Sequence, residues 1–182
     1  VTLDNRAAAK AMTRHLIEFG HTRIAMIKGP DSSPLTQDRL LGYKDALREA
    51  NLPFNENLLF PGDFTLQAGY KAGADIAKID EKLRPTAVFC ENDETAIGTI
   101  QAFKQVGMRV PDDISVAGFD DIAFSAFCDP PLTTIAQPAE EFGRTAVTLL
   151  VDVLNGKTRK APKVIMPFEL ITRQSTGPVK TM

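Results

Sequence analysis

Three short, almost wholly apolar runs govern what this chain can fold into: Ile24-Ala25-Met26-Ile27, Thr86-Ala87-Val88-Phe89-Cys90 and Ile114-Ser115-Val116-Ala117. Each is too short for a globular helix and is bounded by turn residues, so each reads as a buried strand. None alternates apolar with polar, as a strand with one wet face would. A strand that is apolar on both faces must be covered on both, which is the situation of a parallel sheet between two layers of helices. Parallel neighbours also need long crossover connections. The intervals between the runs supply these with helical periodicity, so the expected fold is α/β: a three-layer, Rossmann-like parallel sheet with helices on both faces.

The helical intervals are legible in turn. Ala8, Ala11, Met12, His15, Leu16 and Phe19 fall on one face of a first helix that Gly20 stops. The loop Asp31 to Leu35 leads into a second, with Arg39, Tyr43, Ala46, Leu47 and Ala50 on one side. A third runs from about Leu66 to Ile79, and its small residues Ala68, Gly69, Ala72 and Gly73 predict a close approach to the sheet. A fourth carries Ala96, Ile97, Ile100 and Phe103, with Asn92 or Asp93 as its cap and Glu94 at its positive start. Val1–Leu3 and Leu58–Phe60 read as short flanking strands. Past Pro138 the pattern changes. The helix to Leu154 carries one stripe of Phe142, Ala146, Leu149, Leu150 and Val153 and a second of Val147, Val151 and Leu154. An apolar arc that wide needs covering on two sides, by folding back on the sheet or by exchange with a second copy, and exchange is the expectation. The tail from Val164 to Arg173 reads as extended and interrupted by Pro167, and residues from Gln174 onward read as frayed.

Ligands of open parallel sheets bind in the crevice beyond the carboxyl ends of the strands. Gly118-Phe119-Asp120-Asp121 lies at such an end. Asp120 suits either a short helix cap or acceptance of hydrogen bonds from two sugar hydroxyls, and Asp121 suits a cap. Pro130-Pro131 then enforces an extended passage, Leu132 to Ile135 forms a further strand, and the chain leaves through Gln137-Pro138. Arg39, taken alone, is a solvated charge in the first turn of its helix, or a planar fork for vicinal hydroxyls or a carboxylate. Phe64, just past a strand end in Gly62-Asp63-Phe64, reads on composition alone as an ordinary core residue.

The rest of the inventory points away from chemistry. With 21 Lys and Arg against 23 Asp and Glu, the net charge is −2, so no basic face for nucleic acid is implied. Cys90 and Cys128 are far apart, without metal-ligand spacing, and suit a reducing cytoplasm. His15 lies on an apolar helical face as a satisfied core residue, and His21 reads as a turn or helix-end residue. No catalytic, cofactor or metal site is expected. Gly156-Lys157-Thr158 resembles the end of a phosphate-binding loop, but the first glycine of that motif would fall at Val151, inside a helix. No apolar run approaches a membrane span. The chain begins at Val1, neither basic nor followed by a signal-type core, and the missing initiator methionine suggests a fragment or processed chain.

Val116-Ala117-Gly118-Phe119-Asp120-Asp121, then Pro130-Pro131-Leu132-Thr133-Thr134-Ile135 and Gln137-Pro138, resemble the regulatory domain of LacI/GalR-type repressors. The likeness runs from Val1 to about Thr176. Phe127 to Pro138 is similar, more narrowly, to a nucleoside-responsive member. The resemblance implies a periplasmic-binding-protein-like fold whose two subdomains close on a small-molecule effector, a nucleoside such as cytidine or a sugar. It implies a complete carboxy-terminal subdomain over 1–136, a segment 137–163 returning to a mostly absent amino-terminal subdomain, a return over 164–176, and a tail of 177–182. Ligand contacts are implied at Arg39, Phe64, Asn92 and Asp120. Operator DNA would be bound only through an amino-terminal helix-turn-helix missing here, by a cytoplasmic homodimer. Two rivals are a transport-type solute receptor of the same fold, which would need a secretion signal upstream, and a small doubly wound enzyme, which would need a catalytic constellation that these residues do not assemble.

Overall fold

The computed structural model describes residues 1–157 and 163–180. Residues 158–162 of the expected returning segment, Thr158 of the phosphate-loop-like run among them, lie outside the described residues. In chain order the elements are β1 (Thr2–Leu3), α1 (Asn5–Glu18), β2 (Ile24–Ile27), α2 (Pro34–Glu49), β3 (Leu59–Phe60), α3 (Leu66–Ala77), β4 (Ala87–Cys90), α4 (Asp93–Gln105), β5 (Ser115–Ala117), β6 (Thr134–Ala136), α5 (Ala139–Leu154), β7 (Ile165–Met166) and β8 (Glu169–Ile171).

β3, β2, β4 and β5 form a parallel sheet in that order, with Ile24 opposite Ala87 and Val88 opposite Val116. Parallel bridges from Ala117 to Thr133 and from Asp120 to Ala136 carry β6 along the outer edge of β5, and β8 joins β6 antiparallel. The apolar runs work as anticipated, because successive side chains point to opposite faces. Ile24, Met26, Ala87 and Phe89 pack against Met12, Leu16, Tyr43 and Leu47 of α1 and α2. Ala25, Ile27, Val88 and Cys90 pack against Ile76, Ile97, Ile100 and Phe103 of α3 and α4. Three layers with a core on each side of the sheet result.

The small residues of α3 act differently from expectation. Gly69 and Gly73 face α4, not the sheet: a Cβ on Gly69 would strike the Thr95 carbonyl, and one on Gly98 of α4 would strike that of Leu66. The glycines set the distance between two helices, and Ala72 and Ile76, with the partly buried Ala77, are left to face the core.

The carboxy-terminal tail corrects the reading of Gln174 onward as frayed. Ser175 is fully buried beside β5, its hydroxyl donating to Val116 O at 2.6 Å and accepting from Thr133 N at 2.8 Å. Thr176 Oγ1 meets His15 Nε2 at 3.0 Å and Thr133 Oγ1 at 2.9 Å, and Val179 N donates to Phe19 O at 2.9 Å. The tail holds because its hydroxyls satisfy polar groups that β5, β6 and α1 would otherwise bury unpaired. His21 belongs to the same tie, bonding Thr86 Oγ1 at 3.0 Å, Ser115 Oγ at 3.1 Å and Gly177 O at 3.0 Å. Its backbone N–H closes the end of α1 on Leu16 O at 3.3 Å, while its ring serves this tie and not the helix dipole; burial lowers its pKa, as it does that of His15.

α5 has no fully buried residue. Phe142 rests against the α1–α2 core, while Val147, Leu150 and Leu154 are 61%, 58% and 76% exposed. The helix does not fold back to hide its second stripe.

Candidate functional site

The carboxyl ends of β2, β4 and β5 all open on one side of the sheet, and the four residues expected to contact a ligand line one cleft there. A cleft of about 450 Å³ is lined by Arg39 from α2, Phe64 from the β3–α3 loop, Asn92 from the β4–α4 turn and Asp120 from the β5 end. Val1, Leu35, Gln137 and Phe142 complete its walls.

Arg39 is not a surface charge and not in the first turn. α2 begins at Pro34, a residue preorganised for a helix start, so Arg39 falls in the second turn and is 4% exposed. Its guanidinium is held on three sides: Nε donates to Asn5 Oδ1 at 3.0 Å, Nη1 donates to Glu91 O, and Nη2 lies 3.6 Å from Asp120 Oδ1. Below, its central carbon sits 3.7 Å from the centre of the Phe119 ring, a stacking that suits a planar cation. Burial lowers its pKa, and Asp120, Glu91 and Asp93 oppose that.

Asp120 occupies the left-handed region at φ 108°. Its N–H donates to Ile135 O at 2.8 Å, which keeps it between the β5 and β6 ends. It does not cap the short helical turn that follows. Oδ1 accepts from Gln137 Nε2 at 2.6 Å. Burial pushes its carboxyl up to about 6; the Arg39 cation pulls the other way, and the Asp93 carboxylate adds to the rise. Asp121 is not a cap either. It pairs with Arg173 at 2.7 Å, tying the strand end to the tail after β8.

Phe64 is a second strained residue, at φ 68°, with its ring against Gly29. Two non-glycine residues with positive φ facing one cleft is a pattern of strain concentrated at functional positions. Asn92 does two jobs. Oδ1 accepts from Thr95 N at 3.1 Å and caps α4, and Nδ2 donates to the Phe64 carbonyl at 2.7 Å.

Three residues of the site escape a reading of the sequence. Asp93, at the start of α4, is fully buried and accepts from Ile122 N at 2.9 Å, Ser125 Oγ at 2.6 Å and Thr134 Oγ1 at 2.6 Å. It holds the loop after Asp120 in place. Gln137 closes the cleft beside Asp120. Glu91, a charged residue ending an apolar strand, is 1% exposed, with Oε2 accepting from Gly29 N at 3.0 Å. Glu91 and Gln137 each directly follow a strand, and Asp93 opens α4 three residues beyond β4. Among the described residues, no group of three or more His, Cys, Asp or Glu is arranged to hold a metal ion. No helix among them is long and apolar enough to cross a membrane.

A buried arginine fork and a carboxylate at the carboxyl ends of a parallel sheet, beside an aromatic ring, define a small-molecule binding domain of periplasmic-binding-protein type. The family model of the periplasmic binding protein-like domain matches residues 13–176. The chain belongs to that family and, within it, to the effector-binding domains of LacI-family transcriptional regulators.

Among its relatives is the transcriptional repressor CytR of Escherichia coli, 44% identical over 176 residues, which are 97% of this chain and 51% of the relative. The repressor PurR of Aliivibrio fischeri is 44% identical over 163 residues, 90% of this chain and 48% of that protein. The structure of a LacI-family regulator from Enterococcus faecium with bound ribose matches with a TM-score of 0.91 at 31% identity, over 98% of this chain and 65% of the other. The lac repressor dimer bound to operator and an anti-inducer matches with a TM-score of 0.86 at 31% identity, over 96% and 59%. The chain spans about half the length of the curated relatives it matches.

Proposed function

We propose that this chain is the ligand-sensing part of a cytoplasmic transcriptional repressor, and that its effector is a nucleoside such as cytidine. One observation carries the reading: Arg39, Phe64, Asn92 and Asp120, from four separate loops or elements, line one cleft. Arg39 and Asp120 present a fork of donors and an acceptor side by side, which matches the vicinal hydroxyls of a ribose. Phe64 offers its ring to the face of the base. The likeness to CytR favours a nucleoside over a plain sugar, and the likeness to regulators favours a repressor over a transport receptor or an enzyme.

In this reading, residues 1–136 and 164–176 form one subdomain, 177–182 its tail, and 137–163 reach toward a second subdomain that completes the cleft. The regulator acts as a homodimer, and operator DNA is met by a helix-turn-helix outside these residues. Ligand shifts an equilibrium of closure between the subdomains, and that shift couples to DNA affinity. Calorimetry on the full-length protein tests the effector: cytidine binds more tightly than 2′-deoxycytidine, because the lost hydroxyl leaves buried polar groups unpaired, at roughly 1–3 kcal/mol. Equal affinities would overturn the assignment of Arg39 and Asp120 to the sugar.

A further inference from the structure

Beneath the Phe64 ring lies a polar pair that the sugar grip does not use. Thr36, in the first turn of α2, and Glu91, at the end of β4, are 0% and 1% exposed. Thr36 Oγ1 and Glu91 Oε1 are both buried without a hydrogen-bond partner. The two side chains are close enough for the hydroxyl to favour the charged carboxylate, yet not aligned as a hydrogen bond. Gly29 fixes where they meet. Its N–H holds the other carboxylate oxygen, and a carbon built on it would collide with the Phe64 ring and lie 2.6 Å from Thr36 Oγ1. Ring, hydroxyl and carboxyl therefore crowd one point behind the cleft wall, with the Phe64 ring between the polar pair and the cleft. Buried polar atoms in native proteins are almost always paired, so two unpaired ones side by side need a reason.

We propose that Glu91 Oε1 and the Thr36 hydroxyl read the base of the effector, accepting from an exocyclic amino group and donating to the ring nitrogen beside it, once the Phe64 ring lifts off Gly29. The inference rests on the nucleoside reading and sharpens it to an amino-substituted base of the cytosine kind. An ionised carboxylate accepts only, so it rejects a uracil carbonyl at the same place; a protonated carboxyl can donate to that carbonyl and loses the distinction. Burial pushes the Glu91 carboxyl up to about 7. The charged groups facing it are Lys28 from the end of β2 and Arg39 from α2, with Asp120 and Asp93 beyond Arg39.

Titration of the full-length protein with cytidine, uridine and ribose at pH 6 and pH 8 tests the inference. The ratio of cytidine to uridine affinity is the readout, since protonation of Asp120 weakens both alike. In the wild type the ratio is small at pH 6 and rises to roughly ten-fold at pH 8. In Glu91→Gln, whose amide presents either a donor or an acceptor, it is near one at both pH values while ribose still binds. A ratio that is constant with pH in the wild type, or kept by Glu91→Gln, overturns the base-reading role and leaves the nucleoside reading standing. Binding of ribose without either nucleoside overturns both.

Discussion

Asn92 Nδ2 donates to the carbonyl of Phe64 at 2.7 Å while Oδ1 of the same amide caps α4. One side chain thus joins the end of β4 to a strained residue 28 positions earlier. An amide suits both tasks at once, because the cap needs an acceptor and the Phe64 carbonyl needs a donor, and the two ends of the amide supply one each.

The two roles separate by substitution. Asn92→Asp keeps the cap and loses the donor, so the melting temperature stays close to wild type while affinity for cytidine falls. Asn92→Ala loses both, and costs in addition about 1 kcal/mol of stability from the cap. Thermal melts and calorimetry on the two variants check this. Loss of affinity in neither variant would show that the anchoring of Phe64 has no bearing on binding.

Arg39→Lys is not a conservative change here. The guanidinium serves Asn5, the Glu91 carbonyl and Asp120 from one plane and stacks on Phe119. An ammonium reaches one of these partners and leaves the others buried and unpaired. We expect a loss of roughly 2 kcal/mol or more in stability and no measurable ribose or cytidine binding. Chemical denaturation and calorimetry measure both, and a variant that binds as wild type would remove Arg39 from the site.

Stability should fall as pH rises from about 4 to about 7. The Glu91 carboxyl stands at about 7 in the folded protein against an ordinary 4.5, and Asp120 at about 6 against 3.8. The folded state holds these protons more tightly than the unfolded one. The associated stability is therefore full below the unfolded values and lost as pH rises past the folded ones. For Glu91 the loss is on the order of 3 kcal/mol. Glu91→Gln should equal the wild type near pH 4 and exceed it at pH 8. Urea denaturation at the two pH values decides it, with parallel profiles counting against a buried neutral Glu91.

The layered sheet was legible in the sequence because Ile24–Ile27 and Ala87–Cys90 carry their own evidence: a strand buried on both faces is apolar throughout. Arg39, Phe64, Asn92 and Asp120 were legible through a resemblance, and the cleft brings them together. Glu91 and Asp93 were not. A polar residue after a strand looks like a cap whether or not it is one, and what distinguishes Asp93 is a set of partners some thirty to forty residues ahead, at Ile122, Ser125 and Thr134. The same holds for the tail, where Ser175 and Thr176 have the composition of a frayed end and are ordered by groups on β5, β6 and α1.

The outer face of α5 yields the last prediction. Val147, Leu150, Val151 and Leu154 recur at helical spacing and all point to solvent, from 45% to 76% exposed. Scattered apolar residues on a surface are ordinary, but a continuous stripe along about two turns is not, and such patches drive association. Two α5 helices set against each other would cover both stripes, and the surface is complementary to itself because like residues meet across a two-fold axis. The 182-residue chain alone therefore self-associates at tens of micromolar. Leu150→Glu combined with Val147→Lys returns it to monomer without lowering its melting temperature, since neither side chain is buried in the chain itself. Multi-angle light scattering reads the outcome: a monomeric wild type, or a double variant that still associates, would show that α5 is not the contact.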